Sequence, residues 1–430
     1  MKASLFGIVM VATVAMSGVA QGVTALKAIG AELDNAADEL QGWKKALTVY
    51  NNEDSFVTKV RFAWMEQYQM ASVQPNGSNG LHLKDGGSPF NHEFRRSWVG
   101  VNVDFRTGTQ FHTWARIGGL PYRHTWKNGR TVRGFSYTDL FDIWVKQDIK
   151  AVKGLSVKAG KLKPLFTTDY STPSSALTCV ERSFVGNQYG LDSNWGLDIT
   201  YAPSKQDTVY LQLLANDRAS ASKNNNHRDA YRDGRGLKGE FGWEDKFFAI
   251  IGASHKFRVT ESGYHKVSVQ YAHDFNNSYD NGTAPGANCY GIGVKDALSL
   301  GYEVKKDKWL FLANIVGNCE MQNGGGNNIG IQLQPVYSLT DRVDLIFRYT
   351  GMTGDNACKL AADRYICTNT TASSWVDSIN AFYFGADFYL SPKDKNMLKL
   401  MLGAEYTTAR NNGSDCYNGW EYTTAIRWNF

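Results

Sequence analysis

The last fourteen residues, Tyr417 to Phe430, constrain the fold more than any other stretch. Counting back in twos from Phe430 gives Trp428, Ile426, Thr424, Tyr422 and Trp420. The set between them is Asn429, Arg427, Ala425, Thr423, Glu421 and Gly419. One face is aromatic and apolar without a charge; the other is polar, charged or small. This period of two marks a strand held between two unlike environments. An apolar side for lipid and a polar side for a lumen is the requirement of a transmembrane β-barrel. An edge strand of a large soluble sheet is the other fold this stretch allows.

The chain starts with Met1-Lys2 and an apolar run from Ala3 to Val19, followed by small residues. A basic start, an apolar centre and small-x-small sites predict a secretory signal peptide over 1–25, cut after Ala25 or after Ala20. No later stretch reaches the roughly eighteen apolar residues a membrane helix needs. An exported protein of this kind is either soluble or a barrel. The 42 Gly, 22 Tyr, 22 Phe and 12 Trp against only 9 Pro suit a barrel. A net charge of +5 is too mild to point to nucleic acid.

Residues 26–50 differ in pattern from the rest of the chain. Ile29, Leu33, Ala36, Leu40, Trp43 and Leu47 recur every three or four positions, with Glu32, Asp34, Asp38, Glu39, Lys44 and Lys45 between them. The spacing predicts an amphipathic helix over 28–47, ahead of a barrel spanning 51–430; it fits a periplasmic peg, a lumen insert or a short oligomerising helix.

From Ser55 the helical period stops and sixteen strands are predicted, near 55–72, 92–106, 109–118, 137–149, 154–161, 193–202, 206–216, 246–258, 265–275, 289–304, 308–319, 328–339, 342–352, 377–390, 396–410 and 417–430. In 377–390, Phe382, Phe384, Ala386 and Phe388 oppose Tyr383, Asp387 and Tyr389. The stretches 246–258 and 308–319 are apolar on both faces and show no phase. Short links alternate with long polar ones such as 162–192, 217–245 and 353–376. An all-β transmembrane antiparallel barrel of about sixteen strands, with short periplasmic turns and long outer loops, gives that alternation. Sixteen strands also leave a water-filled lumen.

The six cysteines, Cys179, Cys289, Cys319, Cys358, Cys367 and Cys416, all fall in or beside long connections. Cys358 and Cys367 close a small loop and are the expected disulfide. Their spacings match no zinc pattern, and no cofactor motif or catalytic set is present. The eight scattered histidines read as lumen or loop residues.

Residues 157–183 resemble one known family. The run Val157-Lys158-Ala159-Gly160-Lys161-Leu162-Lys163-Pro164-Leu165-Phe166, then Glu181-Arg182-Ser183 after a Ser/Thr-rich stretch, is similar to the signature of the phosphate-selective porin O and P family. Arg95-Arg96 and the Trp428-Asn429-Phe430 ending fit as well; a terminal Phe resembles the C-terminal signal of bacterial outer-membrane proteins. The resemblance implies a homotrimer of sixteen-stranded barrels, each with a loop folded inward. It carries Lys161, Lys163, Glu181 and Arg182 to the pore constriction.

Strand phase sends Lys59, Arg61, Arg116, Lys146, Lys158, Arg348, Lys399 and Arg427 to the lumen, along with a matching set of carboxylates. Selectivity follows the local ring of charge rather than the total. The expected protein is an outer-membrane porin passing small anionic or neutral solutes, without a cofactor, in contact with outer-membrane lipid. Two alternatives stay open: an adhesin or surface barrel acting through 217–245, and a barrel enzyme.

Overall fold

In the computed structural model the described residues are 22–76, 82–83, 90–117, 124–125, 131–132, 140–188, 193–215, 247–275, 294–321, 327–354, 366–367, 377–411 and 413–430. Residues 1–21, the segment 217–245 and Cys358 lie outside that set, so the signal peptide up to Gln21 and the Cys358–Cys367 pairing fall outside it too.

The sheet follows the alternation. Sixteen antiparallel strands are β1 (Val57–Pro75), β2 (Phe90–Phe105), β3 (Thr109–Arg116), β4 (Leu140–Asp148), β5 (Leu155–Leu162), β6 (Asn194–Tyr201), β7 (Asp207–Ala215), β8 (Phe247–Thr260), β9 (Gly263–Asp274), β10 (Val294–Lys306), β11 (Trp309–Met321), β12 (Asn328–Thr340), β13 (Val343–Gly354), β14 (Ser378–Tyr389), β15 (Leu398–Asn411) and β16 (Ser414–Asn429). Each pairs with the next, and β1 pairs with β16 from Met65↔Asn429 to Pro75↔Gly419, so the sheet closes and has no free edge. Thr48–Asn51, just past the helix expected over 28–47, forms a short extra strand on β1. The expected strands are all present, shifted by a few residues at their ends.

Outward residues are apolar and exposed: Phe62 and Trp64 on β1, Ile251 on β8, Leu300 on β10, Phe382 and Phe384 on β14. Aromatic pairs mark two girdles. Trp64–Trp428 (5.8 Å) and Trp309–Tyr337 (4.7 Å) lie towards the short turns; Tyr349–Phe382 and Tyr406–Trp420 (both 5.1 Å) lie towards the loops. Phe430 is built into the seam: its N–H donates to Trp64 O at 2.8 Å and its carbonyl accepts from Trp64 N at 3.0 Å.

The inner face has two zones. On β13–β16 it is charged, with Arg348, Asp387, Lys399, Glu405, Glu421 and Arg427 buried. Towards the loops an apolar layer includes Val73, Leu214, Phe248, Ile250, Val316 and Ile379. That layer explains why β8 and β11 read as apolar on both faces: Ile250 and Val316 point inward while Ile251 and Ile315 are exposed outside.

Helix α1 spans Gly22–Ala46, beginning ahead of the cleavage position expected at Ala25. Its stripe Leu33, Ala36, Ala37 and Leu40 packs on Leu390, Met397, Leu398 and Phe430. Lys44 Nζ donates to Asp394 Oδ2 at 2.5 Å, and Arg342 pairs with Asp34. The helix is thus docked against the short-turn end beside β13–β16.

Candidate functional site

Residues 163–188 of the connection from β5 to β6 lie within the barrel. The connection carries the short helices α2 (Thr168–Ser171) and α3 (Phe184–Gln188), with a 3-10 turn at Ser174–Ala176 between them. Its Phe166 and Val185 join the apolar layer of the lumen, each with no exposed surface. From there the chain reaches Arg348 on β13, Tyr383 on β14, Lys399 on β15 and Arg427 on β16. In a ring of sixteen, β13 is eight strands from β5. The connection is therefore a bar across the full width of the lumen.

Backbone carbonyls at the bar's far end are held by cations from the wall. Lys399 Nζ donates to Leu177 O at 2.5 Å, Arg427 Nη1 to the same oxygen at 3.0 Å, and Arg427 Nη2 to Val180 O at 3.2 Å. Arg348 Nη1 donates to Glu181 O at 2.8 Å while its Nη2 reaches Glu405 at 2.7 Å. The Glu181 carboxylate is the central anchor: it accepts from Arg95 Nε at 2.8 Å, Arg96 Nη2 at 3.2 Å and Gln69 Nε2 at 3.0 Å. Adjacent strand residues normally point to opposite faces. Here the pairings Gln67↔Arg96 and Tyr68↔Phe94 leave Arg95 as the extra residue of a β-bulge, which lets both arginines reach inward.

On the near side, Lys163 and Arg182 converge on Tyr170, with Lys163 Nζ 4.8 Å and the guanidinium carbon 5.2 Å from the ring centroid. Both donate to Thr172 O, at 3.2 and 2.7 Å. Arg182 also donates to Asp169 O and Ser174 Oγ. These acceptors are neutral oxygens, so they orient the cations without cancelling their charge. Burial, seconded by the Arg182 charge and opposed by Asp169, pulls the Lys163 ammonium down to about 7. Asp169 Oδ2 ties the two ends of the bar, accepting from Ser183 N at 2.7 Å and Ser183 Oγ at 2.8 Å.

The residues carried over by sequence divide. Lys163, Glu181 and Arg182 lie on the bar. Lys161 does not: it sits on β5, pairs with Ile143 and Trp195 out of phase with the inward Lys158, and is buried. Lys59, Arg61, Arg116, Lys146 and Lys158 have the inward phase. Arg348, Lys399 and Arg427 also point inward, yet they clamp the bar and are almost fully buried rather than lining open water. Cys179, expected beside an outer loop, is buried within the bar, where burial pushes its thiol up to about 12. Nothing in the sequence marks Gln69 or Tyr170 for these roles; Arg95-Arg96 stands out only through the resemblance, and the bulge that turns Arg95 inward has no signature in a single sequence.

The bar separates two chambers. One, about 740 Å³, lies against β1–β5 and is lined by Arg95, Arg116, Lys158, Lys163 and Arg182 together with Trp98, Trp114 and Trp144; Glu93 and Asp142 are its carboxylates. The other, about 420 Å³, lies against β7–β13 and is lined by many amides and hydroxyls, with Asp169, Glu181 and Glu303 against Lys266 and Arg348. A passing ion thus meets a basic, aromatic side and a near-neutral side.

No family model and no curated protein matches the chain in sequence. Its fold is similar to that of solved outer-membrane channels. These include OprB of Pseudomonas putida, at TM-score 0.56 and 14% identity over 86% of this chain and 94% of that one. The anion-selective porin of Comamonas acidovorans matches at TM-score 0.51 and 9% identity, over 86% and 99%. The outer-membrane channel DcaP of Acinetobacter baumannii matches at TM-score 0.50 and 9% identity, over 86% and 97%. The closed barrel, its apolar outer belt and its girdles place the chain in the bacterial outer membrane with a porin-type fold.

Proposed function

We propose that this protein is a passive channel for small hydrophilic solutes, with an anion preference set where the bar meets the basic chamber. The observation that supports it most is the convergence of Lys163 and Arg182, both held by neutral oxygens such as Thr172 O, on Tyr170 in a chamber shared with Arg116 and Lys158. A guanidinium holds a phosphate or carboxylate oxygen pair, and a lysine adds a point charge, so phosphate is among the anions such a site admits. Binding must stay weak, because a tightly held ion blocks the pore. One of the neighbours in fold is itself described as anion-selective, in agreement with this reading. An exported barrel implies that residues 1–25 are a signal peptide removed on the way.

A homotrimer is the proposed assembly. Glu66 has the outward phase of β1, between exposed Trp64 and Met70, but is itself buried and accepts from Ser97 Oγ at 2.6 Å. A carboxylate on the lipid side of a barrel is costly even when covered, and a protomer contact over β1 and β2 would keep it further from lipid.

The test is the reversal potential of the purified protein in a KCl gradient. Lys163→Glu with Arg182→Glu is expected to move it towards cation selectivity, whereas Lys161→Gln leaves it in place. An unmoved potential in the double variant would place the selectivity elsewhere.

A further inference from the structure

The basic chamber carries a second feature that charge selection does not use. Trp98, His112, Trp114 and Trp144 all take the inward phase of β2–β4, as the pairs Trp98↔Arg116, Gly100↔Trp114, Asn102↔His112 and Trp144↔Gly160 require. They form a continuous aromatic ladder. Trp98 and Trp114 centroids are 6.3 Å apart, His112 and Trp114 6.1 Å, and His112 stacks on Trp144 at 4.6 Å. Two glycines make room for it: a Cβ on Gly100 would lie 3.1 Å from the Trp114 ring and 2.2 Å from Thr113 O, and one on Gly160 would lie 2.9 Å from Trp144 Cβ. Girdle tryptophans face lipid. These face the lumen and are half-buried, so part of each ring remains open to the chamber. Lys158 Nζ stands 4.8 Å over Trp144, and across the chamber Lys163 and Arg182 stand over Tyr170.

An indole face in water attracts flat apolar surface, either an aromatic ring or the C–H face of a pyranose. Few precisely placed charges beside such a surface fix a ligand's orientation. We infer that the chamber between the Trp98–Trp114–Trp144 wall and the bar is a binding station for solutes that combine a ring with a carboxylate. The ring lies on the indoles, and the carboxylate faces Lys163 and Arg182. This rests on the anion-channel reading and narrows it: among anions of equal charge, those carrying a ring dwell longer.

The experiment is current block in planar bilayers containing the full-length protein, with sodium benzoate, sodium glucuronate, sodium acetate or glucose added to one side. Benzoate and glucuronate are the two sources of the shared chemistry; acetate lacks the ring and glucose lacks the charge. At least one ring carboxylate is expected to half-block at a concentration about tenfold below both controls, which corresponds to about 1.4 kcal/mol of added dwell. Trp114→Ala is expected to bring that ratio near one, and Trp114→Phe to keep most of it. Equal block by acetate, or block by glucose matching that of both ring carboxylates, overturns the station in wild-type protein alone, whatever the variants do. A ratio unchanged in Trp114→Ala overturns it as well. Cation selectivity in KCl would instead overturn the underlying anion-channel reading, which keeps the two failures apart.

Discussion

At the scale of single residues, Glu181 couples the bar to the wall. It offsets Arg95 and Arg96, and Arg96 is nearly fully buried. Removing one partner of a buried pair leaves an uncompensated charge, at a cost of about 3–5 kcal/mol. Glu181→Ala is therefore expected to lower the temperature at which heat-modified mobility is lost and to raise single-channel conductance as the bar loosens. Unaltered conductance would mean that the carbonyl clamps from Lys399 and Arg427 hold the bar unaided. Lys163 supplies a pH dependence. With its ammonium pulled down to about 7, it is charged below that pH and neutral above it. Between pH 8 and pH 6 it goes from about one-tenth to about nine-tenths protonated. Anion preference is thus expected to rise as pH falls across that window, and Lys163→Met to flatten the rise. Lys163→Arg keeps the charge at every pH and holds the preference at its acid level. A rise that survives unchanged in Lys163→Met would overturn the assignment to Lys163. Legibility at this scale was partial. Lys163, Glu181 and Arg182 were readable as a cluster, but Lys158 and Lys161 are an odd number of residues apart and cannot share a face of a regular strand.

At the scale of elements, the strands were legible wherever their two environments differed. β16 separates aromatic from polar residues, and β14 sets Phe382, Phe384 and Phe388 against Tyr383, Asp387 and Tyr389, because one side meets lipid and the other the charged wall. β8 and β11 carry no such contrast, because their inward side joins the apolar layer around Phe166 and Val185. Alternation reports a difference between two faces, and vanishes when both are dry. Helix α1 was legible as amphipathic from its stripe, while its docking site was not, since Leu390, Met397 and Phe430 come together only once the barrel closes. The same closure makes β16 a sensitive element. Ile426 stands outward, level with Tyr68 and Leu400 on its two neighbours. Ile426→Lys is expected to cost on the order of 2–4 kcal/mol at mid-bilayer depth and less near an interface. The measurement is the folded fraction in urea titration of protein refolded into vesicles; a midpoint equal to wild type would argue that this face does not meet lipid.

At the scale of the whole molecule, the bar has unlike chambers on its two sides, and this governs how charges act. In 0.1 M salt the field of an ion is screened within about 10 Å, and in 1 M within about 3 Å. A charge on the β1–β5 wall therefore acts on ions in its own chamber far more than on those beyond the bar. Arg116 lines the basic chamber, whereas Lys266 lines the opposite one beside Glu303, at 3.9 Å. If anions cross mainly through the basic side, Arg116→Glu is expected to lower the anion-to-cation permeability ratio by about twofold or more in dilute salt, and Lys266→Glu by clearly less, with both effects shrinking in 1 M KCl. The comparison is made from reversal potentials at two salt concentrations. Equal shifts from the two sites would mean that ions sample both chambers alike, and the bar would then narrow the pore without dividing it.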